Sequence, residues 1–85
     1  MKTRKAYADH SDRIIRLLAA ERKRRGLTKY AVEQCSGISQ QMVSYVERGL
    51  RKPSLETALR IADGIGVDLA KIITKARKVP AKTKL

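Results

Sequence analysis

Gln41, Ser44, Tyr45 and Arg48, with Gln40 beside the first of them, are the residues of this sequence best suited to recognition chemistry. On a helix, side chains three and four positions apart share a face. Positions 41, 44, 45 and 48 therefore form one stripe, and Val43, Val46 and Glu47 form the opposite one, spaced to meet other helices. The polar stripe is rich in hydrogen-bonding groups and carries no acid, whereas a face that serves only solubility usually mixes Glu and Lys. A Gln amide holds a donor and an acceptor side by side, so it can bond N6 and N7 of adenine together. Two Gln residues at a helix start suit a reader of the DNA major groove; the plainer alternative is a solvated helix start.

Other chemistries lack their residues. There is no Ser/His/Asp set, no carboxylate pair suited to a cleft, no glycine loop that would cradle a phosphate and no cluster of metal ligands. His10 stands alone and reads as a solvated side chain. Cys35 is the single cysteine, so it forms no intramolecular disulfide and reads as a half-buried helix residue in a reducing compartment. The sequence predicts no enzyme, no metal, no cofactor and no small-molecule ligand.

Charge points the same way as the polar stripe. Lys and Arg number 20 against 8 Asp and Glu, a net charge of +12. Such an excess favours a polyanionic partner, nucleic acid first and an anionic membrane surface second. No apolar run is long enough to span a bilayer, and Met1-Lys2-Thr3-Arg4-Lys5 does not lead into the apolar stretch of a secretory signal. The expected partner is double-stranded DNA, with no membrane, and the expected location is cytoplasmic.

The elements that must position the stripe are helical. A chain of 85 residues has room for one domain. Without Phe or Trp, its core must rest on Ile, Leu, Val, Met and Ala. Apolar residues recur at three and four, and nothing alternates as a strand would. Residues 1–10 read as a flexible basic arm, residues 11–75 as the domain, and residues 76–85 as a basic disordered tail. Asp9, Ser11 and Asp12 are N-cap candidates for a first helix with Ile14, Ile15, Leu18, Ala19 and Arg22 on one face, ended by Gly26. Thr28 caps a second helix that closes at Ser36-Gly37. Ser39 caps a third, Gln40 to Arg48, ended by Gly49. Ser54 caps a fourth carrying Leu55, Leu59, Ala62 and Ile65, and Asp68 caps a fifth with Leu69, Ile72 and Ile73 on its buried side. Two short helices joined by a glycine turn are the outline of a helix-turn-helix.

The ordered set Leu27-Thr28, Gly37, Ser39, Glu47-Arg48-Gly49, Pro53-Ser54 and Gly66-Val67-Asp68-Leu69 resembles the lambda-repressor-like, or Xre/Cro, helix-turn-helix family. The resemblance covers roughly residues 14–73. It implies an all-α, compact five-helix fold and a sequence-specific DNA-binding transcriptional regulator, a repressor binding a pseudo-palindromic operator as a homodimer. It also implies roles for particular residues. Gln40, Gln41 and Ser44 match positions that touch base edges, and Tyr45, expected as a fourth base contact, matches a more variable one. Thr28 and Lys29 match a helix start that meets a phosphate, while Arg51 and Lys52, with Leu50, match a loop along the backbone; Arg48 is a further phosphate candidate. Arg22 and Glu47 match a structural ion pair between the first and third helices. The fifth helix, with Ile72 and Ile73, matches the dimer surface. The chain departs from the family at Glu33, where Ala is usual, so this Glu must turn outward or find a partner such as Arg48 or Arg22.

Rival readings share the fold: an antitoxin bound to a toxin partner, the controller of a restriction–modification operon, and a general nucleic-acid binder driven by charge. The basic residues at both ends, Lys2, Arg4 and Lys5 and then Lys75, Arg77, Lys78, Lys82 and Lys84, are expected to add sequence-independent attraction.

Overall fold

A computed structural model describes residues 4–78 of the protein, with side chains from Tyr7 onward. They form α1 (Arg4–Arg24), α2 (Lys29–Ser36), α3 (Gln40–Glu47), α4 (Leu55–Ile65) and α5 (Leu69–Lys78), with no strand among the described residues. Three of the helix starts follow from hydroxyl side chains. Thr28, Ser39 and Ser54 have extended backbones, and their side chains accept the amides of Ala31, Met42 and Thr57 at 3.0, 3.1 and 3.1 Å. Each bond satisfies an amide that the helix itself leaves without an acceptor. Gly37 ends α2 with φ +78°, a backbone conformation that glycine enters without the clash a Cβ would bring. That turn lets α3 begin only four residues after α2 stops.

The first helix starts earlier than the sequence reading placed it. Residues 4–10, expected in a flexible arm, are the opening turns of α1, and Asp9, Ser11 and Asp12 lie inside the helix rather than capping it. Lys5, Ala6 and Ala8 are good helix formers and neither Gly nor Pro interrupts them. The early turns also pack: Arg13 Nε donates to the Ala76 carbonyl at 3.1 Å, and its guanidinium lies 3.1 Å from His10 Nδ1. Residues 76–78, expected in a disordered tail, complete α5, and Ala76 is fully buried against the rest of the bundle. Lys75, Arg77 and Lys78 then stand in the last turn, where cations interact favourably with the helix dipole. The remainder of both expected extensions, residues 1–3 and 79–85, lies outside the described residues.

The core is aliphatic. Leu18, Val32, Val43, Val46, Ile61, Ala62, Ile65, Leu69 and Ile72 form one buried cluster drawn from all five helices. Ile72 belongs to this core, whereas Ile73 is half-buried. Leu55 and Leu59 correct the reading of α4: they are 69% and 45% exposed, because the helix turns Ala58, Ile61, Ala62 and Ile65 inward and leaves both Leu on the flank. Cys35 is exposed rather than half-buried.

Gly64 sets how closely α2 meets α4. A Cβ there would lie 3.0 Å from the Ser36 Cβ and 3.2 Å from the Val32 carbonyl oxygen, neither of which can swing aside. Gly64→Val is expected to cost about 1–3 kcal/mol through overpacking. Gly64→Ala falls between, because relief of the glycine penalty, about 1 kcal/mol in a helix, opposes the clash. Urea unfolding of both variants checks this. A valine variant as stable as the parent would mean that α2 can move off α4 freely.

Near the end of α1, Glu21 accepts from Arg24 at 2.8 and 3.1 Å and from Arg25 at 3.2 Å. The Arg24 bonds first, then that from Arg25, lower the Glu21 pKa from 4.5 to about 2. A depressed carboxylate contributes stability at neutral pH and loses it as pH falls from 4.5 toward 2. The gap in melting temperature between the parent and Glu21→Gln is therefore expected to close across that window. It should be unchanged between pH 5 and 8, where Glu21 is fully ionised.

Candidate nucleic-acid interface

The outward side of α3 presents Gln40, Gln41 and Arg48 exposed and Ser44 and Tyr45 half-buried, while Val43 and Val46 anchor the opposite side in the core. Gln41 Nε2 donates to Tyr45 Oη at 2.8 Å, one helical turn along. This bond limits the rotation of the Gln41 amide and leaves its carbonyl oxygen and second N–H free to meet a base edge. Lys29 Nζ lies 3.4 Å from Ser44 Oγ, tying the start of α2 to the middle of α3. The first link is the i,i+4 pairing that helix spacing allows, whereas the second joins helices that the turn at Gly37 brings together.

Two cationic or donor-rich features flank this face. At the start of α2 the Thr28 hydroxyl accepts the Ala31 amide and retains its own proton for donation. The first amides of the helix, at Lys29 and Tyr30, have no acceptor within it and suit an anion. After α3 the chain folds back, with the amides of Leu50 and Arg51 donating to the Tyr45 carbonyl at 2.8 and 3.3 Å. That closure fixes a loop on which Arg51 and Lys52 are both exposed.

A buried cluster holds α3 in place behind the face. Arg22 donates through Nε and Nη2 to the two Glu47 oxygens at 2.7 and 2.9 Å, and through Nη1 to the Leu27 carbonyl at 2.8 Å. Both side chains are close to nine-tenths buried, and the Glu47 bonds raise the Arg22 pKa above its usual value against the opposing effect of burial. One guanidinium thus joins α1, the entry to α2 and the end of α3.

Glu33 does not pair with Arg48 or Arg22. Its Oε1 accepts the Gln40 amide at 3.2 Å, so a carboxylate from α2 sits on the positive end of α3. Sequence spacing gives no sign of the Glu33 bond, because its partner is a backbone amide placed by the turn. Among the described residues no group of three or more His, Cys, Asp and Glu could hold a metal ion, and no helix is long and apolar enough to cross a membrane.

Residues 18–72 match a helix-turn-helix family model. The chain is 38% identical over 63 residues to an HTH-type transcriptional regulator of Sinorhizobium fredii, covering 74% of this chain and 82% of that protein. It is 32% identical over 57 residues to an HTH-type transcriptional regulator of Haemophilus influenzae. There the match covers 67% of this chain and 58% of the relative, so the chain spans under two thirds of that protein's length. No solved structure matches the chain significantly.

Proposed function

The chain belongs to the lambda-repressor-like (Xre/Cro) helix-turn-helix family, and from that premise we propose that this DNA-binding transcription regulator is a repressor that binds a pseudo-palindromic operator as a homodimer. The observation that carries the reading is the acid-free polar face of α3, with Gln40 and Gln41 exposed at the helix start and the helix fixed from behind. α3 enters the major groove, while Thr28 and Lys29 on one side and Arg48, Arg51 and Lys52 on the other bond phosphates. Gln40, Gln41, Ser44 and Tyr45 meet base edges. The protein acts by occupying DNA and catalyses no reaction.

Selectivity calls for a dimer. One eight-residue helix reads too few base pairs to be selective in a genome. Two subunits with half-sites about one helical turn apart supply the missing contacts. Burial of Ile72 in the core leaves Ile73, not Ile72, as the α5 residue open to a second subunit.

Selection of binding sites from randomised DNA duplexes at ~150 mM salt, where non-specific attraction is weakened, tests the reading. The expected result is an enriched motif with two-fold symmetry. A folded protein that enriches no motif would instead be a charge-driven general binder or would need a protein partner for its task.

A further inference from the structure

Glu33 is the only acid between residues 28 and 46, the stretch that builds α2 and nearly all of α3. A carboxylate on a surface that meets a polyanion opposes that meeting. The Glu33 side chain is half-buried, and its Oε1 accepts the Gln40 amide at 3.2 Å. It takes part in no ion pair among the described residues. Lys29, one turn before it on α2, reaches Ser44 Oγ instead.

The starts of the two helices of the motif are built differently. The start of α2 leaves the Lys29 and Tyr30 amides open beside a lysine side chain, which suits a phosphate. At the start of α3 the Met42 amide goes to Ser39 Oγ at 3.1 Å, and the Gln40 amide goes to Glu33. A carboxylate thus fills the place at the positive end of α3 where another anion would settle. Gln40 and Gln41 stand exposed at that same end.

Two kinds of DNA complex feel this charge unequally. On the operator the Gln side chains bond base edges, and the start of α3 has no need of a phosphate. On random DNA those bonds are missing and affinity comes from phosphates. An open helix start would then add one more anion contact. We propose that Glu33 is a specificity-determining residue: its carboxylate closes the start of α3 to phosphates and weakens binding to random DNA more than binding to the operator. Preference is gained here by penalising the wrong partner. This role rests on the proposed function, because it requires that α3 meets DNA.

Titrations of Glu33→Gln and Glu33→Ala against the selected duplex and a random one, over a range of salt concentrations, test it. Glu33→Gln removes the charge and keeps an oxygen for the Gln40 amide. It is expected to raise affinity for the random duplex about two- to fivefold, the effect of one charge at a helix end. The salt dependence of that binding should steepen by up to about one unit, as for one added phosphate contact. Affinity for the selected duplex should rise by less, so the preference falls in both variants. Thermal melts separate these effects from a loss of folding.

A carboxylate that only capped α3 would behave otherwise. Glu33→Gln would match the parent, and Glu33→Ala would be less stable and weaker on both duplexes. That pattern overturns the proposal, and so does an equal gain on both duplexes. A parent protein that enriches no motif overturns the proposed function instead, and the random-duplex titrations then judge the exclusion of phosphate by themselves.

Discussion

Glu47→Ala is expected to lower the unfolding free energy by about 3–5 kcal/mol, because it leaves the Arg22 guanidinium buried and without its counter-charge. The domain's whole stability is on the order of 5–15 kcal/mol, so the loss is a large share of it. The loss is large not because the pair is a strong net stabiliser; two charges moved out of water recover little more than they lose. It is large because Arg22 sits at 8% exposure with its remaining bond on the Leu27 carbonyl, so the charge is left with one acceptor in place of three. Replacing both partners, Arg22→Met with Glu47→Leu, is accordingly expected to cost much less than Glu47→Ala alone. Gln41→Ala is the contrasting case, since it removes one exposed bond to Tyr45 and is expected to change stability by no more than about 0.5 kcal/mol. Thermal and urea unfolding of the four proteins measures all of this, and equal midpoints for Glu47→Ala and Gln41→Ala would refute the argument.

The parts of the fold that could be read from sequence are those written in single residues with one local job. Thr28, Ser39 and Ser54 cap their helices through their own hydroxyls, and Gly37 turns the chain where only glycine does so cheaply. The start of α1 was not legible in this way. Asp9, Ser11 and Asp12 have the chemistry of caps, but a cap is needed only where a helix begins. The helix begins before them, at Arg4, in a run that neither Gly nor Pro interrupts. Ala76 is buried, and it looked like the first residue of a tail because every neighbour is charged or polar. Leu55 and Leu59 misled because hydrophobicity ranks residues, whereas burial follows the face of the helix that meets its neighbours. Glu33 shows a further limit: its acceptor role depends on a backbone amide seven residues on, and no pattern of side-chain types encodes that. The candidate site was more legible than the fold's edges, since its residues lie on one short helix whose period is fixed.

Removing both reading amides tests the site where its effect should be greatest. Gln40→Ala with Gln41→Ala is expected to reduce the preference for the selected duplex over a random one by at least about thirtyfold, since each well-placed bidentate pair contributes ~1–3 kcal/mol of discrimination. The fold should survive, because both side chains are exposed and the helix keeps its Ser39 cap and the Glu33 bond to the Gln40 backbone amide. Affinity for random DNA should change little, because that term comes from phosphates and counterion release. The double variant Arg51→Gln, Lys52→Gln should do the reverse. It is expected to weaken selected and random duplexes alike and to flatten the salt dependence of both by up to about two units, close to one per lost phosphate contact. Tyr45→Phe belongs between these cases: it frees the Gln41 amide without removing it, so discrimination should fall by less than in the Gln variant. Titrations of the two duplexes over a range of salt concentrations separate the terms. If the Gln variant kept the parent's preference, sequence reading would have to lie off α3, and the polar face would be reduced to a solvated surface. If the loop variant lost preference while the Gln variant did not, specificity would come from DNA shape sensed through the backbone rather than from base edges.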